Sequence, residues 1–263
     1  ELSEVMPLSL TRAKRTTNRW LRLPRPSRLA GYFTLSLWAV LSLLPLYWML
    51  VTAFKTQAVM LSMPPKFWPQ PATLRNFELL LQTSPLLRWI ANGFVYAVVP
   101  TGTNILSCTL IGYLLAKKEF PGRQLYFWAN IATTTVPLAV YVVPLYVLTN
   151  DLKMLDSYPG LILPWLFSPT GIFMMKQFLE TLPTELIDAG RIDGAGEWAV
   201  FSRIVLPLSK PGMGVFGIWS FMGFWNDFFW PLIITRSKEM RILPVGLATL
   251  RTQSLVDFGV MMA

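Results

Sequence analysis

Residues 89–116 read WIANGFVYAVVPTGTNILSCTLIGYLLA, 28 residues without an Asp, Glu, Lys or Arg. About 20 such residues, wound as an α-helix, cross the roughly 30 Å of hydrocarbon in a bilayer. Lipid offers no partner to an open backbone N–H or C=O, so a run of this kind is expected to be helical. Four more runs lie on either side of it. Leu29–Phe54 and Leu125–Asn150 have 26 residues each, Ser157–Met175 has 19, and Pro211–Thr235 has 25 with a single ionisable residue, Asp227. A sixth run opens at Phe258 and reaches only Ala263, which reads as the start of a further helix cut short. The expected fold is therefore all-α and polytopic, with five full transmembrane helices and the beginning of a sixth.

Composition agrees with that reading. Of 263 residues 53% are apolar and 14% charged, against about 25% charged in an ordinary soluble domain, and the mean hydropathy is +0.46. There is no His, so imidazole bases and His-ligated metals are excluded. The lone Cys108 can form neither an internal disulfide nor a thiolate metal cage, and it reads as a small buried filler. No catalytic, cofactor-binding or metal-ligating set stands out. The net charge of +9 could mean nucleic acid or a lipid surface. Its location decides: seven Lys/Arg precede the first apolar run, in a Pro-punctuated stretch that marks residues 1–28 as a basic cytoplasmic tail. The sequence opens on Glu1, which leaves Met6 or a position upstream as the start. With the N-terminus inside, segments 1–28, 117–124 and 176–210 hold 14 Lys/Arg against 9 in the outer segments, the expected inside bias. The membrane domain then spans 29–263. Pro100, Pro137, Pro144, Pro159, Pro164 and Pro169 fall in or beside its helices, and Gly212, Gly214, Gly217 and Gly223 punctuate the last full run. Close helix packing explains any one of them; bent helices around a pathway explain the set.

The longest inner segment, 176–210, reads KQFLETLPTELIDAGRIDGAGEWAVFSRIVLPLSK. Pro183 fits the first turn of a helix, on which Leu186, Ala189 and Gly190 are expected to share one face at spacings of three and four. Gly194 and Gly196 break it, because Gly accepts the positive φ of a helix C-terminus. A second helix, from about Glu197 to Leu206, is expected to end at Pro207. Two short helices at an angle also serve in DNA reading, but this segment is net −1, whereas nucleic-acid binding depends on cations against phosphate. A protein partner fits better, with the acids pairing to its basic rim.

The segment Asp188-Ala189-Gly190-x-x-x-Gly194, followed by Ile204-x-Leu206-Pro207, resembles the Glu-Ala-Ala signature of ABC importer permeases. The string Arg191-Ile192-Asp193-Gly194-Ala195 is similar to the carbohydrate branch, the smaller permease of maltose- and glycerol-3-phosphate-type uptake systems. Three further stretches carry the resemblance: Gly112-Tyr113-Leu114-Leu115-Ala116 with Phe120-Pro121-Gly122-Arg123, Trp225-Asn226-Asp227-Phe228, and Leu243-Pro244-Val245-Gly246-Leu247. Two departures are Asp188, one methylene shorter than Glu, and Gly190 in place of the second Ala. The resemblance implies a type I permease fold in a prokaryotic inner membrane and a non-enzymatic role in carbohydrate import. It implies a coupling helix within 176–210 that docks on a cytoplasmic ABC ATPase dimer through Glu185, Asp188, Ala189, Gly190, Asp193, Gly194 and Ala195. It also implies a homologous second permease and an extracytoplasmic sugar-binding protein as partners, with membrane lipid around them. The chain has no Gly-x-x-x-x-Gly-Lys-Ser/Thr phosphate loop, so ATP and Mg belong to the partner ATPase.

Trp225, Asn226 and Asp227 sit among aromatic residues in the last full run. An intramembrane carboxylate is costly and faces a partner or a cavity. The group suits a substrate pathway or outer gate; an interfacial aromatic belt and an interhelical hydrogen bond are the structural alternatives. Two other functions compete with the permease reading: an ion-coupled secondary transporter, which calls for repeats or several intramembrane charges, and a membrane-embedded lipid-modifying enzyme.

Overall fold

A computed structural model describes residues 25–60, 62–253 and 258–263. The basic tail lies outside these residues up to Pro24. Helix α1 (Arg25–Ala53) is followed by a short turn, α2 (Gln57–Met60), and by α3 (Arg75–Thr83). Helix α4 (Leu86–Lys117) is the longest, at 32 residues. Both α1 and α4 are long and apolar enough to cross a membrane. Pro45 and Pro100 sit inside them without ending them.

The other expected runs are not single straight helices. Leu125–Asn150 divides into α5 (Arg123–Thr134) and α6 (Leu138–Asp151), bent by 97°. Pro137 is the cause: it has no N–H to continue the ladder. Its own backbone is extended at the α6 N-terminus. The Thr133, Thr134 and Thr135 hydroxyls donate to carbonyls one turn back, covering acceptors at the break. Ser157–Met175 divides into α7 (Tyr158–Ile162), a 3-10 turn, and α8 (Pro169–Glu180), which runs past the expected end. Ser157 and Ser168 cap the two helices through Gly160 N–H and Gly171 N–H, each followed by a proline in the first turn.

The inner loop contains α9 (Thr184–Ile192) and α10 (Glu197–Val200). The expected stop at Pro207 does not occur. A π-helical turn, Phe201–Val205, leads through α11 (Leu206–Leu208) into α12 (Lys210–Trp225). Pro207 is the second residue of α11, directly after the π turn, and the helical backbone continues through it. The direction changes by 70° between Glu197–Leu208 and Lys210–Ile234. Pro211–Thr235 is then interrupted at Asn226–Phe228 before α13 (Phe229–Ile234). Helix α14 (Leu243–Gln253) follows, and the opening of the sixth run is helical as α15 (Phe258–Met262).

Three apolar clusters include residues of α4, the third gathering Leu80, Leu250 and Val260 around Trp89. The inner one joins Cys108, Tyr113 and Leu115 to Ile172, Met175 and Leu179 of α8 and to Phe216 of α12. The outer one joins Tyr96 to Val142, Leu161, Trp230, Ile234 and Val245. Cys108 is fully buried, as a filler should be. Helix α1 is nearly bare apart from its outer end, Val51–Ala53, so its apolar surface needs lipid or another chain as cover.

The inner cluster depends on close backbone approach. A methyl placed on Gly112 would lie 2.9 Å from the Lys176 backbone nitrogen and 3.0 Å from Met175 Cβ, whereas one on Gly102 of the same helix would meet nothing within 4 Å. Gly112→Val should therefore cost about 1–3 kcal/mol through overpacking and lower both folded yield and melting temperature in detergent. Gly102→Val should sit near the wild type. Equal effects of the two would deny that the α4–α8 contact at Gly112 is tight.

Candidate coupling loop and membrane cavity

Helix α9 ends in a Schellman motif. Gly194 N–H donates to Arg191 O at 3.0 Å, and Ala195 N–H reaches back to Gly190 O at 3.0 Å. This geometry requires a left-handed residue, and Gly194 has φ +81°. Gly196, two residues on, has an ordinary φ of −66°. The corner thus rests on Gly194 alone.

The faces of α9 differ from the expected arrangement. Ile187 and Gly190 are buried, whereas Leu186 and Ala189 are exposed. Gly190 faces inward because Ile204 of the π turn reaches into the space a methyl would need. The departure from Ala at this position thus has a physical counterpart in Ile204. The outer surface carries Leu186, Ile192 and Trp198, which are 45%, 86% and 70% exposed. Ala189, Asp193 and Gly194 are exposed beside them, and Ala195 is half-buried.

The acids do not all point to a partner. Asp188 accepts from Arg191 at 2.8 Å, one turn along. Glu180 pairs with Lys176 at 2.6 Å. Glu197 pairs with Lys118 and, at 3.3 Å, with Arg191. The Tyr113 hydroxyl lies 3.5 Å from the same carboxylate. Lys117 donates to Leu182 O at 2.6 Å. Glu185 and Asp193 make no ion pair among the described residues. Sequence reading missed this clamp of Tyr113, Lys117, Lys118, Arg191 and Glu197; the Lys-Lys pair ending the apolar run was its available sign.

Lys118, through its hydrogen bond, and then Arg191 hold the Glu197 carboxylate below the ordinary 4.5, against a smaller opposing effect of partial burial. Arg191 is raised in turn, since Glu197 and Asp188 outweigh its partial burial.

Deeper in the membrane domain is a cavity of about 740 Å³. Asp227 lines it, with Ser220, Tyr141, Trp165, Trp219 and Phe224. Trp225 and Asn226 do not: Trp225 stacks on Phe221 at 5.8 Å, and Asn226 donates to Met222 O of its own helix at 2.8 Å. The Asp227 carboxylate accepts from the buried Tyr96 hydroxyl at 2.6 Å and from Phe229 N–H at 3.1 Å. It therefore starts α13 and ties it to α4. Nothing in the sequence marked Tyr96 as its partner, 131 positions away.

The outer side is also tied to α4. Trp89 Nε1 donates to Lys238 O at 2.6 Å, and Asn92 Nδ2 to Glu239 O and Arg241 O at 2.7 and 2.9 Å. Gly246 of α14 lies flat against the Trp89 indole, with no room for a Cβ. The Asp156 carboxylate accepts from Arg236 N–H, Ser237 N–H and the Ser237 hydroxyl at 2.8–3.0 Å. These donors hold it below the usual carboxylate range, although burial pushes the other way.

Residues 109–262 match the family model of the binding-protein-dependent transport system inner membrane component. The chain belongs to this family. Among curated relatives, the permease is 35% identical over 215 residues to the arabinooligosaccharides transport system permease protein AraQ of Bacillus subtilis strain 168, covering 81% of this chain and 76% of that one. It is 30% identical over 236 residues to the diacetylchitobiose uptake system permease protein NgcG of Streptomyces coelicolor, covering 87% and 77%. It is 34% identical over 221 residues to the sn-glycerol-3-phosphate transport system permease protein UgpE of Yersinia enterocolitica, covering 82% and 79%. Its fold resembles a chain in the crystal structure of a bacterial ABC transporter that imports the acidic polysaccharide alginate. The TM-score is 0.75 at 20% identity, with 92% and 93% of the two chains covered. These relatives are transport permeases, so this permease is a transport subunit and not an enzyme. The lipid-modifying and ion-coupled alternatives gain no support from them.

The clamp makes a prediction. Glu197 has a folded pKa below its unfolded one, so its stabilisation is complete above about pH 4.5 and is lost as pH falls through the lower folded value. The side chain is 59% exposed, which limits the pair to a few tenths to about 1 kcal/mol. Glu197→Gln should speed hydrogen exchange in segment 184–197 at pH 7 by roughly two- to fivefold and leave the centre of α4 unchanged. Unaltered exchange in the segment would remove Glu197 from the clamp.

Proposed function

We propose that this permease is the membrane subunit of an ATP-driven carbohydrate importer, seated in a prokaryotic inner membrane with its N-terminus in the cytoplasm. It pairs with a homologous second permease, receives cargo from an extracytoplasmic sugar-binding protein, and couples to a cytoplasmic ABC ATPase dimer that holds ATP and Mg. The sugar-named relatives and the Lys/Arg distribution support this reading. In this reading five segments cross the membrane before α15: α1, α4, α5–α6, α7–α8 and α12–α13.

The observation that carries the proposal is the Schellman corner at Gly194, braced against the inner end of α4. It presents Leu186, Ala189 and Ile192 outward for the ATPase, with Glu185 and Asp193 as unpaired acids beside them. The packing of Gly190 on Val200 and Ile204, with Ile187 in the same apolar cluster as Val200, and the helical path from α10 to α12 link that surface to the cavity wall. A push on α9 by a closing ATPase is thereby delivered to α12, which carries Trp219, Ser220 and Phe224. Asp227 marks the cavity side of the pathway or gate. Trp225 and Asn226 act from behind it by shaping the α12–α13 break.

Gly194→Val and Gly196→Val test the corner, since neither Cβ would meet an atom within 4 Å and only Gly194 has positive φ. A β-branched residue is a steric outlier in that conformation, at about 1–2 kcal/mol for the left-handed backbone alone. In vesicles containing the complete importer, Gly194→Val should lose most uptake and the ATPase response to loaded binding protein. Gly196→Val should retain most of both. Full coupling in Gly194→Val would show that the corner does not transmit.

A further inference from the structure

The cavity holds information on cargo that the relatives do not supply, since their names include neutral oligosaccharides and a phosphate ester. Its volume of about 740 Å³ falls within the roughly 300–1,000 Å³ usual for ligand sites. Among the described lining residues Asp227 is the only charged one, and none is Lys or Arg. Its carboxylate accepts from donors on both oxygens, among them the Tyr96 hydroxyl at 2.6 Å and Phe229 N–H at 3.1 Å. The rest of the wall is aromatic and amphipathic: Tyr141, Trp165, Trp219 and Phe224, with the Ser220 hydroxyl. The Trp165 indole Nε1 is buried without a hydrogen-bond partner, an unspent donor at the cavity wall.

We infer that this cavity is a subsite for an uncharged carbohydrate and excludes anionic ones. The inference rests on the importer reading above and narrows its substrate class. Flat aromatic faces pack against the C–H faces of a sugar ring, and the unspent Trp165 Nε1 donates to one of its hydroxyls. A uronate or phosphate ester brought into the same space meets the Asp227 carboxylate on a wall whose described residues include no cation to offset it. A site made for phosphate or carboxylate places Arg or Lys there instead.

The test uses the purified complex of both permeases and the ATPase, without the binding protein, so that the binding protein's own selectivity does not intervene. Tryptophan fluorescence is titrated with arabinotriose, diacetylchitobiose, digalacturonate and sn-glycerol 3-phosphate. At least one neutral glycan should bind, with both anions at least about tenfold weaker. Asp227→Asn, which keeps the shape and an acceptor for Phe229, should narrow that gap. Thr133→Lys adds a cation on the lining at a position whose hydroxyl serves only its own helix, and it should admit the anions without disturbing the Tyr96 bond. Binding of an anion as tight as that of every neutral glycan would overturn the inference, as would no glycan binding at all, or a gap that neither variant narrows. Uptake by the same preparation, with the binding protein restored, is measured in parallel. Loss of uptake in the wild type would count against the importer reading itself, whereas normal uptake with anion binding would reject only the subsite.

Discussion

The contact between α4 and α8 at Gly112 is the constraint on which the inner half of this permease depends. The missing side chain lets two apolar helices meet backbone to backbone. In lipid, where apolar burial gives helices little reason to associate, such approach and the dispersion it permits are the main adhesive. Met175, Leu179, Cys108 and Phe216 close around the contact, and the same crossing brings Tyr113, Lys117 and Lys118 to the end of α4 beside the 176–210 loop. Packing within the membrane thus fixes where the clamp of charges outside it forms.

The clamp and the cavity are two ends of one element. The chain leaves α9 through a left-handed glycine, passes a π turn, and turns by 70° at Ser209 into α12. Helix α12 then supplies cavity wall until Asn226 and Asp227 end it. Exposed pairs such as Lys118–Glu197 contribute little strength by themselves. Their use is orientation: they hold α9 at one angle to α4 while Ile187, Gly190 and Ile204 provide the apolar seat. On the outer side, Trp89, Asn92 and Asp156 hold the 236–241 segment to α4 and α7 in the same manner, through backbone carbonyls and N–H groups.

Much of this was legible in the sequence where a residue's own chemistry settles the matter. The apolar runs showed α1 and α4, the positive φ of Gly194 followed from its place after a helix, and the separated motifs pointed to the family. Breaks within runs were harder to read. Pro45 and Pro100 leave their helices continuous, whereas Pro137 lies at the break between two. Helical spacing placed Leu186, Ala189 and Gly190 together, yet Ile204 draws Gly190 inward and leaves the other two outside. Asp227 stood out as a lone charge, but its partner Tyr96 was silent, because hydrogen bonds between distant helices leave no local pattern.

The most direct measurement is site-specific cross-linking of α9 to the ATPase in the intact importer. Ala189→Cys and Ile187→Cys are two positions apart, one exposed and one buried against the permease itself. With a cysteine reporter in the ATPase cleft, Ala189→Cys should cross-link and Ile187→Cys should not, with transport retained before oxidation. Cross-linking through Ile187→Cys, or none through Ala189→Cys in a transporting complex, would contradict the placement of the docking surface on the outer face of α9.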